Sequence, residues 1–460
     1  MTLDSKIFKD YDIRAVVPDQ LDEEGVRRIA KALVFHFKPA SIQIGHDMRL
    51  TSPKFHSSCI EEFVKAGVDV IDLGLTSTDM LYFAAGKYPE DLALNISASH
   101  NPPEYNGLKI VKGGAIAVSG DSGIYDIRDL VISDNLLDVK SERKGTITKR
   151  NVMNEYIDKV LSFINLDNMK AFKIVSDTGN GMAGHYMPHL EKKLPWEVIR
   201  LFYELDGSFP NHAPSPIEEK NRLECINKIK EVGADLGLTF DGDGDRVFMV
   251  DEKGRTLSGT VMTAIIAENL LQKSPNETIL YNAVVGRAVP EVIKNNKGKP
   301  IRVRVGHTLI KEDMRRYNAL FCGEHSGHYF FRDFYYADSA IIAALLVIEL
   351  MSIKGKRLSE LMDEYDKYPG TGQTNEINFI VEDKESIMKK LEAEFKSVAK
   401  SIDWLDGISV WFSDWWFNVR ASHTEPLLRL NVEADNKQLF NEKLKFLIAK
   451  IESLGGKRKE

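Results

Sequence analysis

Apolar segments of strand length alternate with amphipathic segments of helix length through the first third of the chain. The pattern predicts a helix over residues 24–37, a strand over 41–45, a helix over 52–66 and a strand over 68–73. Strands that alternate with helices at this spacing form βαβ units, whose strands run mostly parallel and whose functional loops follow the strands. The sequence therefore predicts an α/β fold.

A polar loop follows the apolar run 92–96, which reads as a buried strand. Pro102 and Pro103 remove two backbone donors and fix two φ angles, so the loop that carries Ser99 is stiff. A reactive hydroxyl is one interpretation of this stretch. An ordinary Asn/Pro turn, whose serines cap backbone groups, is an equally good interpretation of the stretch in isolation.

The residues after the two prolines bear on that choice. Asn106-Gly107 predicts a hairpin turn that brings Lys109 back towards Ser99. A hydroxyl, the imidazole of His100 and an amine are then confined together.

The motif DGDGDR at residues 241–246 is the strongest chemical signal. It lies between two apolar runs, and its carboxylates alternate with glycines that permit sharp turns: Asp241, Asp243 and Asp245. Hard oxygen ligands that converge in this way suit Mg²⁺ or Ca²⁺. A solvated acidic turn is an alternative. A calcium loop of the EF-hand type is another, because Glu252 occupies the twelfth position, but the strand-like run after Arg246 and the missing flanking helices disfavour it.

Two later loops carry chemistry suited to a phosphorylated sugar. Glu324 offers a bidentate acceptor for neighbouring hydroxyls, and Ser326 is a short adaptable partner. A zinc site at His325 and His328 is disfavoured because the HExxH order is absent. Further along, four residues form an oxyanion clamp, for which a basic surface turn is the alternative: Arg420, Ser422, His423 and Thr424.

Composition excludes several classes of function. The net charge is −7 and lysine and arginine are spread along the chain, so no basic stripe predicts binding to nucleic acid. The three cysteines are isolated, as is typical of a reducing compartment. The N-terminus lacks a signal-peptide core, and the longest apolar run, 340–348, is too short to cross a bilayer. We expect a cytoplasmic protein without a membrane partner.

Taken together, four motifs resemble those of the α-D-phosphohexomutase superfamily, of the phosphomannomutase/phosphoglucomutase type. SASHNPPEYNGLKI resembles its phosphoserine loop, DGDGDR its metal loop, GEHSGH its sugar-recognition loop and RASHTEP its phosphate-binding loop. We call these the serine loop (residues 97–110), the acidic loop (241–246), the sugar loop (323–328) and the phosphate loop (420–426).

The resemblance implies four domains around a central cleft. The first three are mixed α/β sheets with flanking helices and are similar to one another, and the fourth is a smaller α+β domain. The expected boundaries are 1–150 for the phosphoserine-loop domain, 151–251 for the metal-binding-loop domain, 252–369 for the sugar-recognition domain and 370–460 for the C-terminal phosphate-binding domain.

The resemblance also implies a reaction and its residues. Hexose 6-phosphate and hexose 1-phosphate, of mannose or glucose, interconvert through phosphorylated Ser99 and a hexose 1,6-bisphosphate intermediate, which also serves as activator. Ser99 and the three aspartates bind one Mg²⁺. The expected catalytic residues are Ser99, His100, Lys109, Arg246 and His307. The expected substrate-binding residues are Tyr11, Arg14, Gly306, Glu324, His325, Ser326, His328, Arg420, Ser422, His423 and Thr424.

Some alternatives stay open at this stage. Tyr11 and Arg14 fit a role in the site, and an N-terminal strand in which Arg14 pairs with a nearby aspartate is nearly as good an interpretation. The family often has a lysine where this chain has Val284, so one sugar contact is missing or has moved to Arg287. Phosphoglucosamine mutase and a non-catalytic sugar-phosphate-binding protein are the alternative functions. A serine hydrolase is disfavoured because adjacent Ser99 and His100 cannot form the usual triad. A monomer and a dimer are equally compatible with the sequence.

Overall fold

A computed structural model describes residues 3–133, 141–370, 376–422 and 427–459. The chain forms two compact units. The first unit comprises Met1–Thr256 with Phe330–Gly355, and the second comprises Leu257–Tyr329 with Lys356–Glu460.

The first unit begins with a mixed sheet whose order is β1-β5-β4-β2-β3-β7, with β6 beside β5. Strands β4, β2, β3 and β7 run parallel, and β1, β5 and β6 are antiparallel to their neighbours. The strands are β1 (Ile13–Val16), β2 (Ser41–His46), β3 (Asp69–Leu75), β4 (Leu92–Ile96), β5 (Tyr105–Lys112), β6 (Ile116–Ala117) and β7 (Ile147–Lys149). The helices are α1 (Glu23–Phe37), α2 (Ser52–Lys65), α3 (Thr78–Lys87) and α4 (Tyr125–Ile132).

Helices on the faces of this sheet bury its central strands. All five residues of β4 are buried, as the uninterrupted apolar run predicts. Helix α1 begins where Asp22 accepts a hydrogen bond from the Gly25 backbone N–H. Its apolar face joins that of α2 and the strands in one core. This packing gives the loop after β4 a rigid base.

A second sheet of the first unit has the order β11-β10-β8-β9, parallel except for β11. Because β10 and β11 form a hairpin, the acidic loop lies at its tip. The elements are α5 (Met153–Leu161), β8 (Lys173–Asp177), α6 (Ala183–Glu191), β9 (Glu197–Leu201), α7 (Leu223–Val232), β10 (Leu236–Phe240) and β11 (Val247–Asp251).

The second unit begins with a three-stranded parallel arrangement in the order β13-β12-β14. Its elements are α8 (Gly259–Lys273), β12 (Thr278–Asn282), α9 (Ala288–Asn295), β13 (Lys299–Val303), α10 (His307–Tyr317) and β14 (Phe321–Gly323).

Strands β15 (Tyr329–Phe331) and β16 (Ala337–Asp338) then pair antiparallel and lead into α11 (Ala340–Lys354) in the first unit. Helix α11 is almost wholly buried, and its Glu349 accepts a hydrogen bond from the Asn165 backbone N–H at 2.7 Å. It is therefore a core helix. Among the described residues, no helix has both the length and the apolar character needed to cross a membrane.

The remainder of the second unit is an antiparallel sheet with the order β18-β19-β20-β21-β17-β22 and two helices that share its core. Its elements, with the helix that precedes them, are α12 (Leu358–Tyr365), β17 (Ile377–Ile380), α13 (Lys384–Phe395), β18 (Ser401–Asp403), β19 (Ile408–Trp411), β20 (Trp415–Ala421), β21 (Leu427–Ala434), α14 (Lys437–Ser453) and β22 (Lys457–Arg458). Three mixed α/β segments followed by a smaller α+β segment match the predicted fold class.

Local predictions failed where a distant strand supplied the partner. Asn106-Gly107 is not a turn: both residues lie inside β5, and a Cβ at Gly107 would lie 1.9 Å from the Ile13 carbonyl oxygen. The polar stretch 141–150 has the composition of a loop but contains β7, which pairs with β3. The charged C-terminal stretch 457–459 has the composition of a solvated tail, but Lys457 and Arg458 form β22 and pair with β17.

Candidate active site

The serine loop leaves β4 and returns along β5. The Ser97 backbone N–H donates to the Gly107 carbonyl at 3.0 Å, which closes the loop at its base. Ser99 adopts a left-handed backbone with φ 51°, which is uncommon for a residue with a Cβ. Its backbone N–H donates to Ser97 Oγ at 3.0 Å. The surrounding structure therefore imposes the conformation of Ser99, as is common at functional sites.

A buried guanidinium, which the sequence analysis did not single out, organises this loop. Arg49 Nη1 donates to the carbonyls of Pro102 and Tyr105 at 2.8 and 2.9 Å, and Nη2 donates to those of Ser99 and Asn101 at 2.8 and 2.6 Å. The Arg49 side chain is only 1% exposed. Arg49 thereby satisfies four loop carbonyls, of which that of Pro102 also accepts from the Tyr105 backbone N–H at 3.1 Å.

Asp47 supplies the opposite charge for Arg49. Its Oδ1 accepts from the Arg49 backbone N–H at 2.9 Å and from Ser52 Oγ at 2.6 Å, and its Oδ2 lies 3.4 Å from Arg49 Nε. Ser52 is the first residue of α2, and Thr51 precedes it at the cap position. Asp47 and Arg49 lie in the loop directly after β2, where the functional loops of βαβ units are expected.

The acidic loop approaches the serine loop closely. A Cβ at Gly242 would lie 2.5 Å from the Ser99 carbonyl oxygen, so this position excludes any side chain. Gly244 has φ 76°, the left-handed region that glycine enters without strain. The glycines of DGDGDR thus allow the contact between the two loops.

The turn after β8 and the first turn of α6 donate hydrogen bonds to the backbone of the acidic loop. The Met182 backbone N–H donates to the Gly242 carbonyl at 2.9 Å, and the Tyr186 hydroxyl donates to the Gly244 carbonyl at 3.2 Å. The glycine-rich segment 177–184 and the first turn of α6 therefore support the acidic loop.

The three aspartates of the acidic loop converge. One carboxylate oxygen from each of Asp241, Asp243 and Asp245 lies within 4.8 Å of the others, and all three residues are buried. Ser99 Oγ lies 3.2 Å from Asp241 Oδ2 and 3.3 Å from Arg246 Nη2. The loop hydroxyl and the carboxylates therefore share one site.

Arg246 and His100 complete the surroundings of the hydroxyl. Arg246 donates through Nε to Asp241 Oδ2 at 2.8 Å and through its backbone N–H to Asp241 Oδ1 at 3.1 Å. His100 Nδ1 lies 3.4 Å from Ser99 Oγ. Both predicted residues are therefore at the serine.

Lys109 returns on β5, as predicted, although by strand pairing instead of a turn. Its Nζ donates to Asp243 Oδ2 at 2.6 Å, to Asp245 Oδ2 at 2.8 Å and to Thr78 Oγ1 at 3.2 Å. Burial alone would lower the pKa of Lys109, but the two carboxylates hold that pKa well above its ordinary value. Lys109 is therefore an ammonium ion in this arrangement.

The three buried carboxylates of the acidic loop carry more negative charge than the two nearby cations, Lys109 and Arg246, can balance. Burial raises the pKa of Asp241 to about 8, and the charges of Asp243 and Asp245 add to that effect. For Asp243, burial acts in the same direction, but Lys109 holds its pKa well below the usual range. A further cation is needed for all three carboxylates to ionise at neutral pH.

The donor set fits a hard divalent ion. Asp243 Oδ1 is buried and has no hydrogen-bond partner among the described residues. An oxygen in this position is normally paired or binds a metal. Carboxylate oxygens are the ligands that Mg²⁺ and Ca²⁺ prefer.

The N-terminal segment reaches the same loop through Arg14. Arg14 Nη1 donates to Asn101 Oδ1 at 2.6 Å, while Nε donates to Asp12 Oδ2 at 2.7 Å. Both interpretations of Arg14 thus hold at once: it pairs with a nearby aspartate and contacts the serine loop. Tyr11 directly precedes Asp12, just before β1 begins at Ile13, and lies outside regular structure.

In the second unit, the sugar loop lies beside the start of α10. Glu324 is buried, and its Oε1 accepts from the Gly306 backbone N–H at 3.3 Å. The rings of His307 and His328 stack with their centroids 6.3 Å apart. Strand β13 ends at Val303, and His307 is the first residue of α10. These four predicted residues are therefore neighbours.

The other two residues of this loop are buried polar groups. His325 Nδ1 accepts from Asn282 Nδ2 at 2.9 Å, and burial lowers the pKa of the imidazole. His325 is therefore neutral, with its proton on Nε2. Ser326 Oγ is buried and has no partner among the described residues, so it is available to a ligand.

The phosphate loop presents a second cluster of charges in this unit. Arg420 and Ser422 are buried at the end of β20, whereas His423 and Thr424 lie outside the described residues. Arg420 Nη2 lies 3.2 Å from Glu376 Oε2, and Arg429 Nη1 lies 3.2 Å from Glu376 Oε1. Glu376 and Arg429 were missed because their pairing joins the residue before β17 to β21, two segments far apart in the sequence.

Arg287 is committed to other partners. Its Nε donates to Glu433 Oε1 at 2.6 Å, and its Nη2 lies 2.9 Å from Asp435 Oδ1. Of the two sequence-based alternatives, a missing sugar contact at Val284 fits this arrangement better. The tryptophans before the phosphate loop contribute to packing: Trp416 is buried and stacks on Trp411 with ring centroids 4.6 Å apart.

Comparison with known families matches the chain along most of its length. Residues 5–132, 154–254 and 258–368 match alpha/beta/alpha domains I, II and III of phosphoglucomutase/phosphomannomutase, and residues 376–448 match the C-terminal domain. A phosphomannomutase of Salmonella montevideo is 38% identical over 433 residues, covering 93% of this chain and 94% of that protein. A phosphomannomutase of Vibrio cholerae is 37% identical over 460 residues, covering 97% and 98%.

Solved structures agree with the fold. A phosphoglucomutase/phosphomannomutase family protein from Burkholderia thailandensis has a TM-score of 0.90 at 28% identity, with 99% of each chain covered. An Aspergillus fumigatus N-acetylphosphoglucosamine mutase, solved with GlcNAc-6P and magnesium, has a TM-score of 0.62 at 13% identity and covers 97% of this chain and 96% of its own. Because relatives at 37–38% identity cover more than nine-tenths of the chain, it belongs to the phosphoglucomutase/phosphomannomutase family and is an isomerase.

Proposed function

We propose that the protein interconverts hexose 6-phosphate and hexose 1-phosphate through a phosphorylated Ser99 and a hexose 1,6-bisphosphate. The observation that carries the proposal is the position of Ser99 Oγ, 3.2 Å from Asp241 Oδ2 and 3.3 Å from Arg246 Nη2 in a buried cluster. A hydroxyl so placed is next to an acidic metal-type site and a fixed cation. Both stabilise the charge on a transferring phosphoryl group.

We assign Mg²⁺ to Asp241, Asp243 and Asp245, because they form a compact set of hard oxygen ligands. The ion supplies positive charge to the phosphoryl oxygens when it is bound. The related Aspergillus fumigatus enzyme was solved with magnesium, which supports this choice of ion.

The residues around Ser99 have distinct proposed roles. Arg246 binds the oxygens of the serine phosphate, and His100 contacts the same group. Arg49 holds the loop carbonyls so that Oγ keeps its direction. Lys109, with its raised pKa, keeps its proton, neutralises charge and donates hydrogen bonds; it is a poor base in this state.

The proposed substrate contacts lie on the loops of the second unit. Glu324 accepts hydrogen bonds from sugar hydroxyls, and Ser326 Oγ, which has no partner among the described residues, is a further contact. His307 is the remaining candidate to accept the proton of the attacking hydroxyl. Arg420 and Ser422, together with His423 and Thr424 as the resemblance implies, bind the phosphate that is not being transferred.

Mannose phosphate is the favoured substrate, with glucose phosphate as a second. Relatives that cover more than nine-tenths of the chain are named phosphomannomutase. By resemblance, a histidine at position 325 of the sugar loop is also more typical of enzymes that act on mannose and glucose phosphates than of glucosamine-phosphate mutases.

Two measurements test the proposal. Intact mass of the purified protein is expected to show a fraction heavier by one phosphoryl group, which Ser99→Ala removes. A coupled assay with mannose 1-phosphate or glucose 1-phosphate, Mg²⁺ and the matching 1,6-bisphosphate is expected to show turnover that Ser99→Ala abolishes. Turnover retained in Ser99→Ala would refute the phosphoserine mechanism.

A further inference from the structure

A carboxylate of the protein already occupies the guanidinium cluster beside the phosphate loop. Glu376 Oε1 lies 3.2 Å from Arg429 Nη1, and Oε2 lies 3.2 Å from Arg420 Nη2 and 3.0 Å from Asn431 Nδ2. The Glu376 side chain is 10% exposed and that of Arg420 is 3% exposed. Three donors from two strands therefore converge on one anion.

A phosphate and Glu376 would compete for the same guanidinium groups. Arg420 and Arg429 contribute two positive charges and Glu376 one negative charge, and Lys384 adds a third positive charge nearby, where its Nζ donates to the Ser422 carbonyl at 3.1 Å. With Glu376 in place, a phosphate would have to share the N–H groups of Arg420 and Arg429 with a carboxylate of like charge in a poorly hydrated site, which is unfavourable.

Arg420 is incompletely satisfied by this carboxylate. Its Nε is buried and has no hydrogen-bond partner among the described residues. A guanidinium normally uses two N–H groups on a planar oxyanion. Glu376 therefore satisfies Arg420 less fully than a phosphate with three oxygens would.

We propose that Glu376 is an intramolecular substitute for the phosphate of the substrate: it occupies the clamp of Arg420 and Arg429 when no ligand is bound and competes with phosphate for these groups. The proposal rests on the proposed function, in which the phosphate loop binds the phosphate that is not transferred. Glu376 precedes β17 and is not part of the strand, so its side chain can turn away without breaking strand pairing.

This competition has a use in the proposed reaction. The bisphosphate intermediate must leave the clamp, turn end for end and present its other phosphate, so a clamp that bound phosphate too tightly would trap it. A carboxylate that returns to the guanidinium groups stabilises the empty clamp and so weakens phosphate binding. Glu376 is therefore a positioning residue that sets how readily phosphate leaves.

The test is direct binding of inorganic phosphate to the full chain, measured by isothermal titration calorimetry. Glu376→Gln keeps the shape of the side chain and removes its charge, and we expect it to bind phosphate about tenfold more tightly or better. We also expect a lower KM for sugar phosphate and a lower kcat, because release of the intermediate slows. Unchanged or weaker phosphate binding would overturn the proposal and would make Glu376 a permanent support for Arg420.

Three further variants keep the result interpretable. Glu376→Asp retains the charge with a shorter reach and is expected to bind phosphate less tightly than Glu376→Gln. Glu291→Gln makes the same chemical change at a carboxylate that contacts the Tyr368 hydroxyl and is expected to leave phosphate binding unchanged. In Glu376→Gln combined with Arg420→Met the gain should vanish; a gain that persists would place phosphate elsewhere and overturn the proposal.

The binding measurement separates this proposal from the proposed function. If Glu376→Gln binds phosphate more tightly but no variant turns over a sugar phosphate, the competition stands and the mutase activity fails. If turnover is normal and phosphate affinity does not rise, the mutase activity stands and the proposed competition fails.

Discussion

The serine site of the first unit and the phosphate clamp of the second unit are opposite in charge and in construction. In the first, three buried aspartates face Lys109 and Arg246, so negative charge is in excess. In the second, Arg420 and Arg429 share the single carboxylate of Glu376, so positive charge is in excess. The first arrangement suits a resident cation, and the second suits an anion that comes and goes.

The two sites also differ in how firmly their loops are fixed. Arg49 binds four carbonyls of the serine loop from a fully buried position. Arg429 is 25% exposed and contacts side chains. In the proposed mechanism, the nucleophile needs a fixed direction, whereas a clamp that accepts both ends of a bisphosphate needs less rigidity.

The largest expected effect comes from replacing a carboxylate by its amide in each site. Asp243→Asn removes a metal-type oxygen and a partner of Lys109, and we expect kcat to fall by roughly 10²–10³-fold. The same chemical change at Glu376 is expected to tighten phosphate binding. Steady-state kinetics and phosphate titration of both variants measure the contrast, and a loss of similar size in both would erase it.

Replacing arginine by lysine is expected to affect the two sites unequally. Arg49→Lys keeps the charge but leaves loop carbonyls unpaired in a buried place, so we expect a loss of about 3 kcal/mol in the free energy of unfolding. Arg429→Lys, at a partly exposed position, is expected to lose about 1 kcal/mol or less. Chemical denaturation measures both values. Equal losses would show that the serine loop is no more constrained than the clamp.

Ligands are expected to protect different segments. At about 100 times its Kd a ligand adds about 2.7 kcal/mol to the stability of the site that binds it. Hydrogen exchange is therefore expected to slow in residues 97–110 and 241–246 on addition of Mg²⁺, and in residues 376–380 and 427–434 on addition of phosphate. Protection of the clamp segments by Mg²⁺ alone would contradict this division.

The smallest expected effect concerns a buried carboxylate without a cation partner in the first unit. Burial raises the pKa of Asp79 to about 7, although Ser77, Tyr156 and Ser339 donate hydrogen bonds to it. The folded state therefore keeps its proton at a pH where the unfolded chain has lost it, and the free energy of unfolding falls as pH rises from about 4 to about 7. Relative to Asp79→Asn, the wild-type protein should lose about 2 kcal/mol between pH 5 and pH 7.

Glu376 is expected to give a pH dependence of stability with the opposite sign. Burial alone would raise its pKa, but Arg420 and its other neighbours lower that pKa to about 2. The ionised Glu376 therefore adds to the free energy of unfolding at pH values above the ordinary pKa of a glutamate, and this contribution fades as pH falls towards 2. Thermal denaturation of Asp79→Asn and Glu376→Gln against pH should therefore show slopes of opposite sign, and slopes of the same sign would refute the assigned partners.

Much of the fold followed from local pattern. The strands β2, β3 and β4 and the helices α1 and α2 were predicted within about two residues, because each buries one face or both faces in a core. The predicted positions of Ser99, Asp241 and Arg246 also met in space. The family resemblance was confirmed by the domain matches.

The failures share one cause. Asn106-Gly107 has the composition of a turn, and residues 457–459 have that of a tail, yet both segments are strands because a distant strand offers backbone partners. Glu376 and Arg429 gave no local signal, since a single charged residue reads as a solvated side chain until its partner is known.

The sequence by itself determined the order of strands and helices, the loops that carry reactive residues and the family, because periodicity and short motifs depend only on neighbours along the chain. The tertiary structure decided which charges meet: Lys109 with Asp243 and Asp245, Arg49 with four loop carbonyls, and Glu376 with two guanidinium groups. The reason is physical. The energy of a buried charge depends on the distance to its partner and on the loss of water around both, and neither quantity is encoded in spacing along the sequence.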